Sequence, residues 1–176
     1  MPSPGHIALV TGLVSTSYFA FGNIANAYVG VMAATARGQT NIPVVDRLAL
    51  WNFAFHAGRR HLGGAGAVST LALATSAYLT GPRPLRDVFG IGAIAAFSIA
   101  AFTLLILMPV NNDLIATLQA ASVKPMEPKE EKRVLDQLDK WRSLHRVRIV
   151  LGLVPWLASA TALLASDAMI KCADRL

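Results

Sequence analysis

Residues 109–152 read PVNNDLIATLQAASVKPMEPKEEKRVLDQLDKWRSLHRVRIVLG. This stretch joins two apolar runs through the densest polar chemistry in the chain. Before it, Val88–Met108 contains no charged residue. At about 1.5 Å of rise per helical residue, that run crosses a hydrocarbon core of about 30 Å with little tilt. After it, Val147–Ala165 is again apolar apart from Arg148. Pro109 is expected to stop or kink the first of these runs. Pro155 is a kink that a membrane helix tolerates, because neighbouring helices satisfy the freed backbone groups.

The same pattern extends towards the N-terminus. Ile7–Ala36 is uncharged, and Gly22, Asn26 and Gly30 recur in it every four residues. Small residues at that spacing let a second helix approach closely, and amides can bond across the contact. This face therefore looks inward, either as packing alone or as a polar lining in which Asn23 or Asn26 meets a ligand. Residues 37–50 form a connector with Pro43 as its breaker. The next run extends to about Thr80. Its first part, WNFAFHAGRRH, is polar and Leu62–Thr80 is uncharged. Asn52, His56, Arg59 and Arg60 share one helix face, suited to the headgroup level or to the entrance of an internal cavity.

The expected fold is thus all-α: one membrane domain over residues 1–176, an integral four-helix bundle. Its spans lie at about 7–36, 50–80, 88–108 and 147–166, and an amphipathic cytosolic connector helix in 109–146 precedes the fourth. Composition agrees. Of 176 residues, 54% are hydrophobic and only 15% charged, and the mean hydropathy is +0.49, which places the chain in the membrane class. A net charge of +6 would suggest nucleic acid for a soluble domain. Here the cations gather at the ends of apolar runs, where the lipid bilayer accounts for them and no nucleic acid is implied. The single cysteine, Cys172, excludes an internal disulfide and reads as an unpaired tail thiol or a lipid anchor. The N-terminus lacks a signal-peptide pattern, so the first run is read as a retained span.

Four spans leave both termini on one side and the two polar connectors on the other. Residues 124–148 carry eight Lys or Arg against five Asp or Glu. The positive-inside rule then puts the connectors in the cytosol and the termini in the lumen. In a eukaryotic cell that implies the endoplasmic reticulum or another endomembrane.

Within the connector, Pro128 suits a first helical turn, and Glu130 and Glu131 suit its positive end. Val134, Leu138, Trp141, His145 and Arg148 then follow at intervals of four, three, four and three. On a helix they fall within a stripe of about 80°, and the charges between them form a solvated surface. Adjacent antiparallel spans bring their ends together, so Asn111, Asn112 and Asp113 should meet Trp141, His145 and Arg148 at one membrane face. Arginine and histidine at a hydrocarbon boundary are costly unless paired or functional. Histidine is also the side chain that titrates near neutrality. Asn112 and Arg148 can equally be ties between helix ends, and Trp141 an interfacial anchor.

No nucleotide loop, dinucleotide fingerprint or C-x-x-C motif is present. His56 and His61 lie about 140° apart on a helix and cannot both ligate one metal from one face. No metal site is expected, although a site built from His56 or His61 with His145 stays open, as does a borrowed metal or haem.

Four spans, an N-N-D-L segment after the third, and K-W-R-S-L-H-R-V-R leading into the fourth resemble the anthrone oxygenase family of small membrane proteins. The specific positions are Asn112, Leu114, Trp141, Leu144, His145 and Arg148. A weaker match at Trp51, Phe55 and Gly58 departs from the family's spacing. The resemblance implies a membrane monooxygenase of aromatic polyketide biosynthesis, part of secondary metabolism, that converts an anthrone to an anthraquinone with molecular oxygen as co-substrate and no cofactor. Under it, His145 is the base for the C–H proton, and Arg148 and Asn112 bind the oxyanion or carbonyl. Trp141, Asn26, His56 and Arg146 contact a flat lipophilic aromatic substrate. A homo-oligomer is compatible with this. The alternative is a non-catalytic membrane protein whose basic connector docks or assembles a partner, and a carrier of lipophiles is a third reading.

Overall fold

The computed structural model describes residues 3–173, with side chains described as far as residue 165. Lys171, Cys172 and Arg175 therefore lie outside the described side chains. Four long helices are apolar enough to cross a membrane. The first, α1, is Pro4–Tyr28, capped by Ser3 Oγ, which accepts from the His6 amide at 3.2 Å. A one-turn helix, α2, covers Val31–Ala34. Next come α3 at Val44–Leu79 and α4 at Arg83–Phe102. A single π-helical turn at Thr103–Leu107 leads into α5 at Met108–Ala121. The last helix, α6, runs from Pro128 to Ala173.

Around the bundle, α1 packs on α3, α3 on α4, α4 on α6, and α6 back on α1. Sequence neighbours are thus neighbours in space, as short connections require. Polarity is inverted relative to a soluble protein. Val14, Tyr18, Leu71, Ile94, Phe97, Val150 and Leu164 all face outward, the apolar belt that lipid demands. Inside lie Ser15, Thr16, Ser69, Ser76 and Ser159, all buried. Ser69 Oγ donates to Ser15 Oγ at 3.1 Å between α3 and α1. With no hydrophobic force between helices in lipid, small and hydroxyl side chains provide the contact. A Cβ at Gly152 would come within 2.8 Å of the Phe19 ring, and one at Gly22 within 2.8 Å of Leu62. At both positions the neighbouring side chain occupies the space that a Cβ would need.

The helix ends add detail to the expected spans. α1 ends at Tyr28, Asn26 lies close to Gly30 where the chain turns, and α2 carries the first apolar segment on to Ala34. The third helix continues through Pro109. The π turn widens the helix by one residue, with the Met108 amide donating to the Thr103 carbonyl. A widened turn is where a missing N–H and a ring clash are absorbed without ending the helix. The expected connector shrinks accordingly, because only residues 122–127 lie between α5 and α6. The fourth span and the stripe before it are one helix, and Pro155 lies inside it. Ser159 Oγ donates to the Pro155 carbonyl at 2.8 Å.

The turn between α2 and α3 is held by one buried cation. Arg47 donates from Nε to the Ile42 carbonyl at 3.0 Å and from Nη1 to the Ala36 carbonyl at 2.6 Å. Its Nη2 also donates to the Thr40 carbonyl. Gly38, at φ +77°, supplies the left-handed residue that this turn needs. Replacing Arg47 by Ala leaves these carbonyls without their charged donor. The expected cost is about 1–3 kcal/mol, read as a lower midpoint of denaturation in detergent micelles.

Candidate functional site

The stripe on α6 decides where polar groups enter the bundle. Val134, Leu138, Trp141 and His145 are all buried, and Arg148 is half-buried. One helix face thus passes from apolar packing to charge within a few turns. Val134, Leu138 and Trp141 pack with Met32, Leu48, Trp51, Leu107 and Leu114 into one apolar cluster. Trp141 stands edge-on to Trp51 with ring centres 6.0 Å apart. It stacks on His145 at 4.7 Å and 14°.

Arg148 is the charged centre. Its Nη2 donates to Asn23 Oδ1 at 2.7 Å and lies 3.0 Å from His145 Nδ1. A guanidinium only donates, so His145 Nδ1 must present its lone pair. The ring proton then sits on Nε2, 3.4 Å from the Asn23 carbonyl. This assigns the neutral Nε2–H tautomer. Asn23 is 0% exposed, and its amide nitrogen donates to the Phe19 carbonyl at 2.6 Å. Its side-chain oxygen is thereby aimed at Arg148. Among the described residues no carboxylate pairs with Arg148, and its Nε is buried without a hydrogen-bond partner.

The guanidinium forms part of the wall of a cavity of about 590 Å³ between α3 and the α4–α5 segment. That volume lies within the roughly 300–1,000 Å³ of small-molecule sites. Phe19, Phe55, Leu62, Ile99 and Leu107 make most of it apolar, while Asn26, Arg59, Asn111, Trp141 and Arg148 supply polar groups. The widened turn contributes Thr103, Leu104 and Leu107, a use of π-helical geometry common at functional sites.

The expected residues divide. Trp141, His145 and Arg148 come together as a unit, and Asn26 lies on the cavity wall. Asn112 does not join them, because it sits on the exposed side of α5. Its neighbour Asn111 is buried, and Asn111 Oδ1 accepts from Trp141 Nε1 at 2.8 Å. One residue on a helix is a rotation of about 100°. The apolar stripe Leu107–Val110–Leu114 marks the inward face and, read in phase, selects Asn111. His56 is exposed and edge-on to Phe55, and Arg146 is exposed. Neither lines the cavity, as both follow from helix phase. His145 is only 2% exposed and is not part of the wall either, since it lies behind Arg148. Among the described residues no group of three or more His, Cys, Asp or Glu lies together.

The family model described as anthrone oxygenase matches residues 51–165, which takes in most of α3 through most of α6 and so the Trp141–His145–Arg148 unit and the cavity wall apart from Phe19, Asn26 and Met32. No curated protein and no solved structure matches the chain.

The phase of α5 is open to direct test. Asn111→Ala removes the acceptor of the buried Trp141 indole and should cost about 1–3 kcal/mol. Asn112→Ala should change stability by less than about 0.5 kcal/mol. Thermal melts of the two variants in detergent would show the contrast.

Proposed function

Because the chain belongs to the anthrone oxygenase family, we propose that it is a membrane-bound oxygenase of aromatic polyketide metabolism that oxidises an anthrone-type methylene to a ketone with molecular oxygen. The observation that carries this reading is Arg148: a guanidinium with neutral partners only and an unpartnered Nε, set in the wall of an apolar cavity. A buried cation is costly without a counter-charge. A ligand that becomes an anion inside the cavity supplies that charge at the moment of reaction.

An anthrone does so. Loss of a methylene proton gives a carbanion delocalised onto the ring oxygen as a phenolate. Arg148 stabilises that oxygen by a charge-assisted hydrogen bond, worth most in a site that excludes water. The electron-rich anion then reduces dioxygen and joins it as a carbon-bound peroxide. After protonation, loss of water across the C–O–O unit leaves the ketone. In sum, CH2 and O2 become C=O and H2O. The four electrons leaving carbon are those that reduce dioxygen, so the sum needs no external reductant. In this reading Asn26 and Asn111, both on the cavity wall, donate to carbonyl or peroxide oxygen.

His145 is the proton acceptor in this reading. Its Nδ1 lone pair faces Arg148 rather than the cavity. Transfer of the guanidinium to the substrate oxygen uncovers that lone pair for the methylene proton, which later returns to the peroxide. Trp141, stacked on the imidazole, holds the ring in place.

Two substitutions separate the roles. Arg148→Met should lower kcat/KM by about 10²–10³-fold, the usual loss for one oxyanion donor. His145→Asn keeps an oxygen where Nδ1 accepts from Arg148 but removes the base. It should therefore fold like the wild type and lose about 10²–10⁴-fold in kcat. Turnover retained in His145→Asn would make His145 a positioning residue for Arg148. Oxygen uptake and anthraquinone absorbance in reconstituted vesicles are the measurements.

A further inference from the structure

The cavity abuts the buried apolar cluster that contains Met32, Leu107 and Trp141, and these residues form part of its wall. On the side between α3 and α4 the lining residues are themselves outer surface. Leu71 is 69% exposed, Phe97 65% and Leu104 63%, and each also lines the cavity. Between them the wall narrows to Gly63 and Ala67 on α3 and Ala100 on α4, all exposed. A Cβ added at Gly63 would meet no atom within 4 Å. This opening lies within the segments apolar enough to span the bilayer. Its Gly63 end is one helical turn from the exposed Arg59, which also lines the cavity and marks the polar side, while Ala67, a turn deeper, faces hydrocarbon.

We infer that the α3–α4 gap at Gly63, Ala67 and Ala100 is a lateral portal, through which a neutral, flat, lipophilic aromatic passes from the hydrocarbon layer into the cavity. The inference rests on the oxygenase reading for the class of its ligand. The geometry also dictates the form in which that ligand arrives. An anion would have to cross hydrocarbon to reach the gap, which is costly, whereas the neutral ketone is soluble there. The ligand therefore ionises only after its oxygen reaches Arg148 on the wall of the same cavity. Gly63, Ala67 and Ala100 at the opening carry no polar side-chain atom to select a head group. Selection is by thickness: glycine and alanine admit a planar ring system, and a bulkier residue would fill the slot.

The probe is anthraquinone, a neutral flat ring, with wild-type and variant protein in phosphatidylcholine vesicles. Binding is read by stopped-flow quenching of tryptophan emission, since Trp141 lies on the cavity wall. Gly63→Leu and Ala100→Leu should each slow association about tenfold or more. Asn112→Leu, on the exposed side of α5, should leave it unchanged. A Cβ at Gly63 meets open space, and Ala67→Leu serves if either leucine variant lowers the melting temperature. Association rates equal to wild type in the folded portal variants would overturn the portal, as would a wild-type protein with no saturable quenching. Failure of the oxygenase reading looks different. Wild-type protein would then bind anthraquinone, with the portal variants slowed, yet form none from anthrone and oxygen.

Discussion

A guanidinium inside an apolar bundle is the constraint around which this protein is arranged. Arg148 is reached by Asn23 Oδ1 at 2.7 Å and by His145 Nδ1 at 3.0 Å. Both partners are neutral, so they satisfy donors without cancelling the charge. The arrangement requires α1 and α6 to run close together, since Asn23 belongs to one and Arg148 to the other. That closeness explains Gly152 on α6, because the Phe19 ring of α1 lies where its Cβ would be. The backbone approach that small residues permit is thus the condition for bringing an amide to the cation. Asn23, in turn, is pinned by its own bond to the Phe19 carbonyl.

Charge burial of this kind is compatible with the fold only because the remainder of the polarity is inverted. Leu71, Ile94, Phe97 and Val150 face outward, while hydroxyls and amides face inward. Lipid makes no hydrophobic demand on the interior, which leaves room there for polar groups and for a cavity. A soluble bundle of this length would fill the same space with leucine and isoleucine to obtain its stability.

Much of this was legible in the chain. Four apolar runs, uncharged but for Arg148, announced four helices, and the four-three spacing of Val134, Leu138, Trp141, His145 and Arg148 announced their shared face. What was not legible depended on phase and on partners distant in sequence. Asn111 and Asn112 are chemically identical, and only the position of Leu107, Val110 and Leu114 on the inward face separates them. At Pro109 the sequence leaves a stop and a kink equally open; a single π turn, which no residue type signals, carries the helix through. Asn23 was one amide in a face of small residues until its partner on α6 fixed its use. His145 was visible as a titratable group, but its position behind Arg148 rather than on the cavity wall depends on side-chain packing that spacing does not encode.

The acidic residues near this site show why the cation keeps its charge open. Asp113 pairs with Arg133 at 3.1 Å, Asp136 with Arg37 at 2.6 Å, and Asp139 with Arg142 at 2.9 Å and Arg37 at 3.2 Å. Glu127 meets Lys124 at 3.3 Å. These pairs are exposed or partly so, and their contribution to stability is small, of the order of 0–1 kcal/mol each. Their placement matters more than their strength. Each acid lies on the outer side of α5 or α6, or in the turn between them, and is engaged by a surface cation. The stripe that faces inward carries none. A carboxylate one helical turn from Arg148 would neutralise it, hold it tightly and leave nothing for a substrate oxyanion. Neutral Asn23 and His145 orient the guanidinium at lower electrostatic gain, and that lower gain leaves its charge available to a ligand that turns anionic only within the cavity.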